Sequence, residues 1–176
     1  MTKTEHERLD SIIGEFFDAD SYARYLRGMA AFREGVECSL AMVDFPDGFG
    51  RWWPGTILPQ LKLDLMDLRQ QTSYAPVTFD IPDDRISLLG VLYVLEGSSL
   101  GARLLARRAA AIGYSPHFGA RHLAAQTSRP EAWTALVQLL RDIDPADAGK
   151  AVEAARVTFL AAIDAFTKQV ECERQS

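Results

Sequence analysis

The sequence of 176 residues has few cysteines, little excess charge and no long apolar run. Its two cysteines, Cys38 and Cys172, lack the paired spacing of a zinc ribbon and the density of a secreted disulfide scaffold, which favours a reducing compartment. The formal net charge of -5 argues against nucleic acid or an anionic membrane as the main partner, because both attract positively charged surfaces.

Targeting and membrane-spanning signals are also lacking. The first ten residues, MTKTEHERLD, contain no apolar segment, so we expect no secretory signal. The longest apolar run, from Leu88 to Leu95, is too short to span a bilayer. We therefore expect a cytoplasmic protein with no membrane association, built as a single domain over residues 1–176.

Helical periodicity is what the chain does have. Apolar residues recur at spacings of three and four, and neither an internal repeat nor an alternating strand pattern is present, which predicts an all-α fold. The first helix should carry one stripe of residues, namely Thr2, His6, Leu9, Ile13 and Phe16.

Capping residues and prolines predict where later helices begin. A third helix should bury Leu61, Leu65 and Leu68. The segment DFPDGFGRWWPG, residues 44–55, predicts a loop that contains Trp52 and Trp53. The expected helix starts are Asp20, Pro82 with the aspartates after it, Ser128 with Pro130, and Asp144 with Pro145.

The fourth predicted helix, residues 83–112, contains glycines in its interior. They fall on one face that is nearly bare of side chains, made of Gly90, Val94, Gly97, Gly101 and Leu105. Each glycine costs about 1 kcal/mol relative to alanine in a helix. Two explanations fit this cost in helix stability: close approach of another helix, or a flat ligand lying against exposed backbone. Periodicity does not decide between them.

Three segments carry a resemblance to bacterial haem oxygenases. GVLYVLEGSSLGARLL, residues 90–105, resembles their glycine-rich, kinked distal helix with its YV-x-EGS-x-LG signature. TKTEHERLD, residues 2–10, is similar to the T-x-x-x-H-x-x-L-[DE] pattern around their haem ligand. ARVTFLAAIDAF, residues 155–166, looks like their final helix. The resemblance implies a haem oxygenase-like helical bundle with a kinked distal helix.

The resemblance also implies a reaction and a set of site residues. Family enzymes use haem b as both substrate and cofactor, and convert it with dioxygen and external electrons to biliverdin, carbon monoxide and ferrous iron. His6 would be the proximal iron ligand, and Asp10, one turn later, would accept a hydrogen bond from its other ring nitrogen. Phe159 would pack near the pocket, and Gly97 and Gly101 would leave room for dioxygen.

The sequence alone leaves several assignments open. Ser98 could support an ordered water network near the haem, or donate back to the helix carbonyl one turn earlier. His117 and His122 are expected at the surface. Cationic partners for the haem propionates would come from Lys3, Arg8, Arg103, Arg107, Arg108 and Arg156, among which the sequence does not choose.

The partners and the role also have alternatives. No nucleotide-binding or flavin motif is present, so the electrons would come from a ferredoxin or a reductase. The product could serve iron recovery or chromophore supply to a bacterial phytochrome. The alternative function is a haem oxygenase-like binding or regulatory protein without turnover, suggested by the aromatic loop at Trp52 and Trp53. A third hypothesis is a haem carrier, which would bind haem without turnover.

Overall fold

The computed structural model describes residues 3–45, 47, 49, 54–69 and 74–174. All the regular elements within those residues are helices, which confirms the all-α class. In chain order they are α1 (Lys3–Ile13), α2 (Ala19–Leu40), α3 (Leu58–Asp67), α4 (Arg85–Ala111), α5 (Arg121–Thr127), α6 (Pro130–Arg141) and α7 (Ala148–Arg174).

The first two helices are joined by a tight connection. Gly14 ends α1 with a φ of 62°, a left-handed conformation that glycine adopts without strain, and its N–H donates to the Asp10 carbonyl at 2.9 Å. The N-cap of α2 is Asp18, two residues before the predicted Asp20. Its carboxylate accepts from the Ser21 N–H at 2.8 Å, which satisfies one of the free donors at a helix start.

The predicted stripe on the first helix is confirmed only in part. Leu9 and Ile13 are half-buried on α1, whereas Phe16 lies beyond the end of the helix and is buried in the core. Thr2 lies outside the described residues. Because Gly14 ends α1, Phe16 reaches the core from the connection and not from the helix.

The fourth helix begins close to its predicted position, and the third buries two of the three leucines expected to face the core. Leu61 and Leu65 of α3 are fully buried, as expected. The α4 helix starts after Asp84, whose side chain accepts from the backbone N–H of Ser87 at 2.9 Å, so Pro82 precedes the helix. Trp52 and Trp53 of the predicted loop lie outside the described residues.

The segment after α4 differs from the prediction. Residues 121–127 form α5, which the weak apolar pattern there did not indicate. Ser128 ends α5 and does not cap the next helix, since its hydroxyl donates to the Ala125 carbonyl at 2.8 Å. The α6 helix begins at Pro130, as the proline suggested, but without a side-chain cap.

A buried hydrogen-bond network holds α5 against α3. His122 is fully buried, so its predicted surface position is wrong, while His117 is exposed. The His122 ring places Nδ1 2.8 Å from the Asp64 carboxylate and Nε2 3.1 Å from the Tyr25 hydroxyl. Burial lowers the pKa of His122 despite the opposing carboxylate, which keeps the imidazole neutral.

The Asp64 carboxylate is the centre of this network. It accepts from the backbone N–H groups of Arg121 and His122, each at 3.0 Å, and from the Arg121 guanidinium at 3.1 Å. Burial alone would raise the pKa of Asp64, but these hydrogen bonds outweigh it and the pKa is lowered. A carboxylate from α3 therefore satisfies the free N–H groups at the start of α5.

The last helix, α7, packs along α4, α2 and α1. At Gly90 of α4 an added Cβ would lie 2.1 Å from the Ala151 carbonyl oxygen, and at Gly28 of α2 it would lie 2.5 Å from the Phe166 ring. Both glycines are required by close packing against α7. For Gly90 the helix-approach explanation is therefore correct.

The α4 helix is also the element most similar to a membrane span. By length and composition its 27 residues could cross a bilayer, although no single apolar run in it is that long. A core helix has the same composition, and α4 packs against α5, α6 and α7. Its buried side chains include Leu88, Leu89, Leu92 and Leu95. The similarity is therefore weak evidence for a membrane span.

Candidate functional site

The first predicted site residue, His6, lies on the exposed side of α1. Its Nδ1 is 3.0 Å from Oδ2 of Asp10, and the two side chains are 61% and 65% exposed. A carboxylate only accepts hydrogen bonds, so this contact places the proton of a neutral imidazole on Nδ1. The Nε2 lone pair is then available to bind a metal ion. Metal-bound histidines usually donate a hydrogen bond from the other ring nitrogen in this way.

Phe159 of α7 lies beside this histidine. The ring centroids of His6 and Phe159 are 5.8 Å apart with an interplanar angle of 68°, an edge-to-face contact. Phe159 is buried, and it forms a small apolar cluster with Val94 of α4 and Ala155, against which Leu9 of α1 packs. This cluster joins α1, α4 and α7, and its Phe159 ring contacts His6.

The two glycines of the predicted oxygen side have different surroundings. At Gly101 an added Cβ would meet no atom within 4 Å, and this residue is exposed. At Gly97 an added Cβ would lie 3.4 Å from the Trp133 ring of α6, and Tyr93 lies beside that ring with centroids 5.5 Å apart. The bare face of α4 is therefore open at Gly101 and bordered by the Trp133 ring at Gly97.

The Ser98 hydroxyl makes two hydrogen bonds within the protein. It donates to the Leu95 carbonyl at 2.6 Å and accepts from Nε2 of Gln126 in α5 at 2.8 Å. The structure therefore favours the backbone interaction over the water-network role for this side chain. Its proton is engaged within the helix.

The predicted propionate partners separate into two groups. Arg108 donates to the Gly14 carbonyl at 2.8 Å, and Arg156 pairs with Glu153 at 2.7 Å, so both guanidinium groups have partners within the chain. The other arginines, Arg8, Arg103 and Arg107, are exposed, and the Lys3 side chain lies outside the described part of the chain. The first and fourth helices thus supply the remaining candidate cations.

Two cavities are present elsewhere in the described part of the chain. The larger, of about 560 Å³, is an apolar groove between residues 79–82 and the starts of α4 and α7. The smaller, of about 230 Å³, lies between α2, α4 and α5 and has both polar and apolar groups in its lining, among them Arg33, Glu96 and Gln126. None of the six predicted site residues lines either of these two cavities.

Two contributions were missed by sequence reasoning. Trp133 borders Gly97 from α6, and Arg108 contacts the end of α1 from α4. Spacing along one helix shows which residues share a face, but not which side chain from a distant helix covers it. No signal in the sequence pointed to either contact.

Comparisons with known proteins agree with this architecture. No family model matches the chain. The chain is 29% identical over 177 residues to a curated Pseudomonas aeruginosa protein named heme oxygenase PigA, covering 96% of this chain and 85% of the relative. It superposes on the NO- and CO-bound heme oxygenase of Neisseria meningitidis with a TM-score of 0.66 and 24% identity, covering 96% and 87% of the two chains. The chain is therefore similar to heme oxygenases in sequence and in helical fold.

Proposed function

We propose that this protein is a haem oxygenase that degrades haem to biliverdin, carbon monoxide and ferrous iron. The observation that carries the proposal is the His6–Asp10 pair, in which the carboxylate lies 3.0 Å from Nδ1 and leaves Nε2 as the free ring nitrogen. A histidine whose Nδ1 is hydrogen-bonded and whose Nε2 is free is suited to binding haem iron. His6 is also at the position where the resemblance to haem oxygenases places that ligand. The relatives that the chain matches are heme oxygenases, which supports haem degradation.

The residues around His6 fit a haem group. Nε2 of His6 would bind the iron, Asp10 would fix the orientation of the imidazole, and the edge of Phe159 would support the ring. The apolar cluster that contains Phe159 and Val94, with Leu9 packed against it, would give the porphyrin an apolar contact. When bound, haem supplies both the substrate ring and the iron centre that activates dioxygen, with electrons from a ferredoxin or a reductase.

The bare face of α4 would supply the other side of the site. Gly101 leaves open space where any side chain would project toward the ligand, so a planar molecule could lie against the backbone. The Ser98 proton is directed to the Leu95 carbonyl, so this hydroxyl would stabilise the helix and not donate to the ligand. We therefore assign Gly101 a steric role and Ser98 a positioning role.

Hemin reconstitution tests the proposal. Purified protein mixed with hemin should develop a Soret band, and ascorbate or a ferredoxin system in air should replace that band with biliverdin absorbance and release carbon monoxide. The His117→Ala variant is the matched control, because His117 is exposed and outside the site. Biliverdin formation equal to that of a reaction without protein would refute the enzyme assignment.

One observation favours a haem carrier as the second candidate. The Trp133 ring lies against Gly97 and borders part of the face where dioxygen would approach. If that ring stays in place over bound haem, the protein would hold the group without turnover. A stable Soret band that persists under reducing conditions in air would support this reading, whereas no band at all would favour the non-catalytic regulatory protein.

A further inference from the structure

The end of α1 is attached to α4 by one arginine. Nη1 of Arg108 donates to the Gly14 carbonyl at 2.8 Å, and Nη2 lies 3.5 Å from the Glu15 carboxylate. Arg108 is in the last turn of α4, and its partner is 94 residues earlier in the chain. The contact therefore joins the two helices that carry His6 and Gly101.

The contact suits the chemistry of a helix end. The last carbonyl groups of a helix lack intrahelical partners and carry the negative end of the helix dipole, so a guanidinium there is favourable. The left-handed conformation of Gly14, with its φ of 62°, turns the chain out of α1 at this point. Arg108 thus stabilises α1 at its C-terminal end through a charged hydrogen bond.

The rest of α1 depends on packing from one side. At 11 residues it is too short to be stable alone, and it lies mainly against α7, where Leu9 and the His6 ring meet Phe159. His6 is about 12 Å along the helix axis from Gly14. A change in position at the Gly14 end would therefore tilt the helix and move the His6 ring relative to α4.

We propose that Arg108 is a positioning residue that fixes α1 against α4 and so sets the separation between His6 and Gly101. The structural part of this inference needs no bound ligand. Its consequence for haem rests on the proposed function. The arginine acts through the Gly14 carbonyl and touches neither His6 nor the bare face of α4 in the contacts described.

Hydrogen exchange of the ligand-free protein tests the structural part. The Arg108→Met variant should exchange the amides of residues 7–13 about tenfold faster, which corresponds to about 1.4 kcal/mol, while exchange in α2 and α7 stays unchanged. The Arg107→Met variant removes the same charge from an exposed neighbour on the same helix and should match the original protein. Unchanged exchange in α1, or equal acceleration in all helices, would overturn the proposal.

Two further variants separate the carbonyl contact from the ion pair. Arg108→Lys keeps the charge but has one donor group in place of a planar fork, so exchange in α1 should be intermediate. Glu15→Gln removes only the exposed ion pair and should leave exchange close to that of the original protein. If Glu15→Gln accelerated exchange as much as Arg108→Met, the ion pair and not the Gly14 carbonyl would hold the helix.

Haem dissociation tests the consequence. Arg108→Met should lose hemin to a scavenging apoprotein about tenfold faster, with the Soret maximum unchanged because His6 is still the ligand. The exposed Arg141 of α6 provides the control variant, Arg141→Met. Unchanged dissociation would overturn the link to haem. Failure of the original protein to bind hemin would instead refute the proposed function, and hydrogen exchange would still decide the role of Arg108.

Discussion

Nδ1 of His6 lies 3.0 Å from Oδ2 of Asp10, one helical turn further along α1. This contact fixes which ring nitrogen carries the proton and restricts rotation of the imidazole. The His6 ring also contacts Phe159, which belongs to the apolar cluster that joins α1, α4 and α7. The proposed ligand therefore contacts both its orienting carboxylate and an aromatic ring of the apolar cluster.

The Asp10→Ala variant should bind hemin about 10- to 100-fold more weakly, since removing an outer partner of a metal-bound histidine has effects of that size. Asp10→Asn keeps an acceptor oxygen and should fall between this variant and the original protein. The dissociation constant from Soret titration is the measurement. The exposed Glu7 of the same helix gives the control Glu7→Gln, and equal affinity in Asp10→Ala and this control would contradict the role of Asp10.

The Gly101→Leu variant should be a stable protein with impaired haem turnover. Leucine has a higher helix propensity than glycine by up to about 1 kcal/mol, and an added side chain at this position begins in open space. The same side chain would occupy the face proposed for the ligand. Thermal unfolding should show a Tm equal to or above that of the original protein, and biliverdin formation should fall at least about tenfold.

Gly149 offers the matched control, because it is also helical and an added Cβ there meets nothing within 4 Å. Gly149→Leu should give a similar change in Tm and leave turnover unchanged. Turnover at the original rate in Gly101→Leu would show that the ligand does not lie on this part of α4.

The sequence predicted the helices with the strongest apolar periodicity and the pairing of His6 with Asp10. An i, i+4 spacing determines which side chains can meet on one helix, so that contact followed from the pattern. The Trp133 contact with Gly97 joins residues from two helices, and no spacing within α4 encodes it. The two explanations offered for the glycines apply to different positions, because Gly90 packs on α7 and Gly101 is open.

The Gly90→Ala variant should lower the free energy of unfolding by about 1–3 kcal/mol, the usual cost of overpacking. An added Cβ would lie 2.1 Å from the Ala151 carbonyl oxygen, and backbone cannot move aside as a flexible side chain can. Urea unfolding gives the measurement. Gly101→Ala should instead stabilise the protein by about 1 kcal/mol, so a loss of stability in both variants would contradict this distinction.

The free energy of unfolding should depend on pH because His122 is buried. Burial lowers its pKa below the ordinary value of 6.5, so the unfolded chain binds a proton that the folded chain does not. The free energy of unfolding should therefore fall as the pH decreases through 6.5, by up to about 1.4 kcal/mol per pH unit, until the folded-state pKa is reached.

Urea unfolding at pH values from 7 to 5 measures this slope. The His117→Gln variant should keep it, because His117 is exposed, while His122→Gln should be less stable at pH 7 and show a smaller slope. An identical slope in His122→Gln and the original protein would contradict the neutral, buried imidazole.

The burial of His122 shows a further limit of sequence reasoning. A histidine in a weakly patterned segment is usually at the surface, but α3 provides Asp64 and α2 provides Tyr25 as partners for this ring. Both partners are more than 50 residues away along the chain. Burial of a polar side chain depends on such distant partners, which periodicity alone does not reveal.

The most direct test of the account is the axial ligand of bound haem. Resonance Raman spectra of the ferrous complex should contain an iron–histidine stretching band that disappears in His6→Ala and persists in His117→Ala and His122→Gln. Exogenous imidazole should restore ligation in His6→Ala. An unchanged iron–histidine band in His6→Ala would contradict the central claim that α1 supplies the haem ligand.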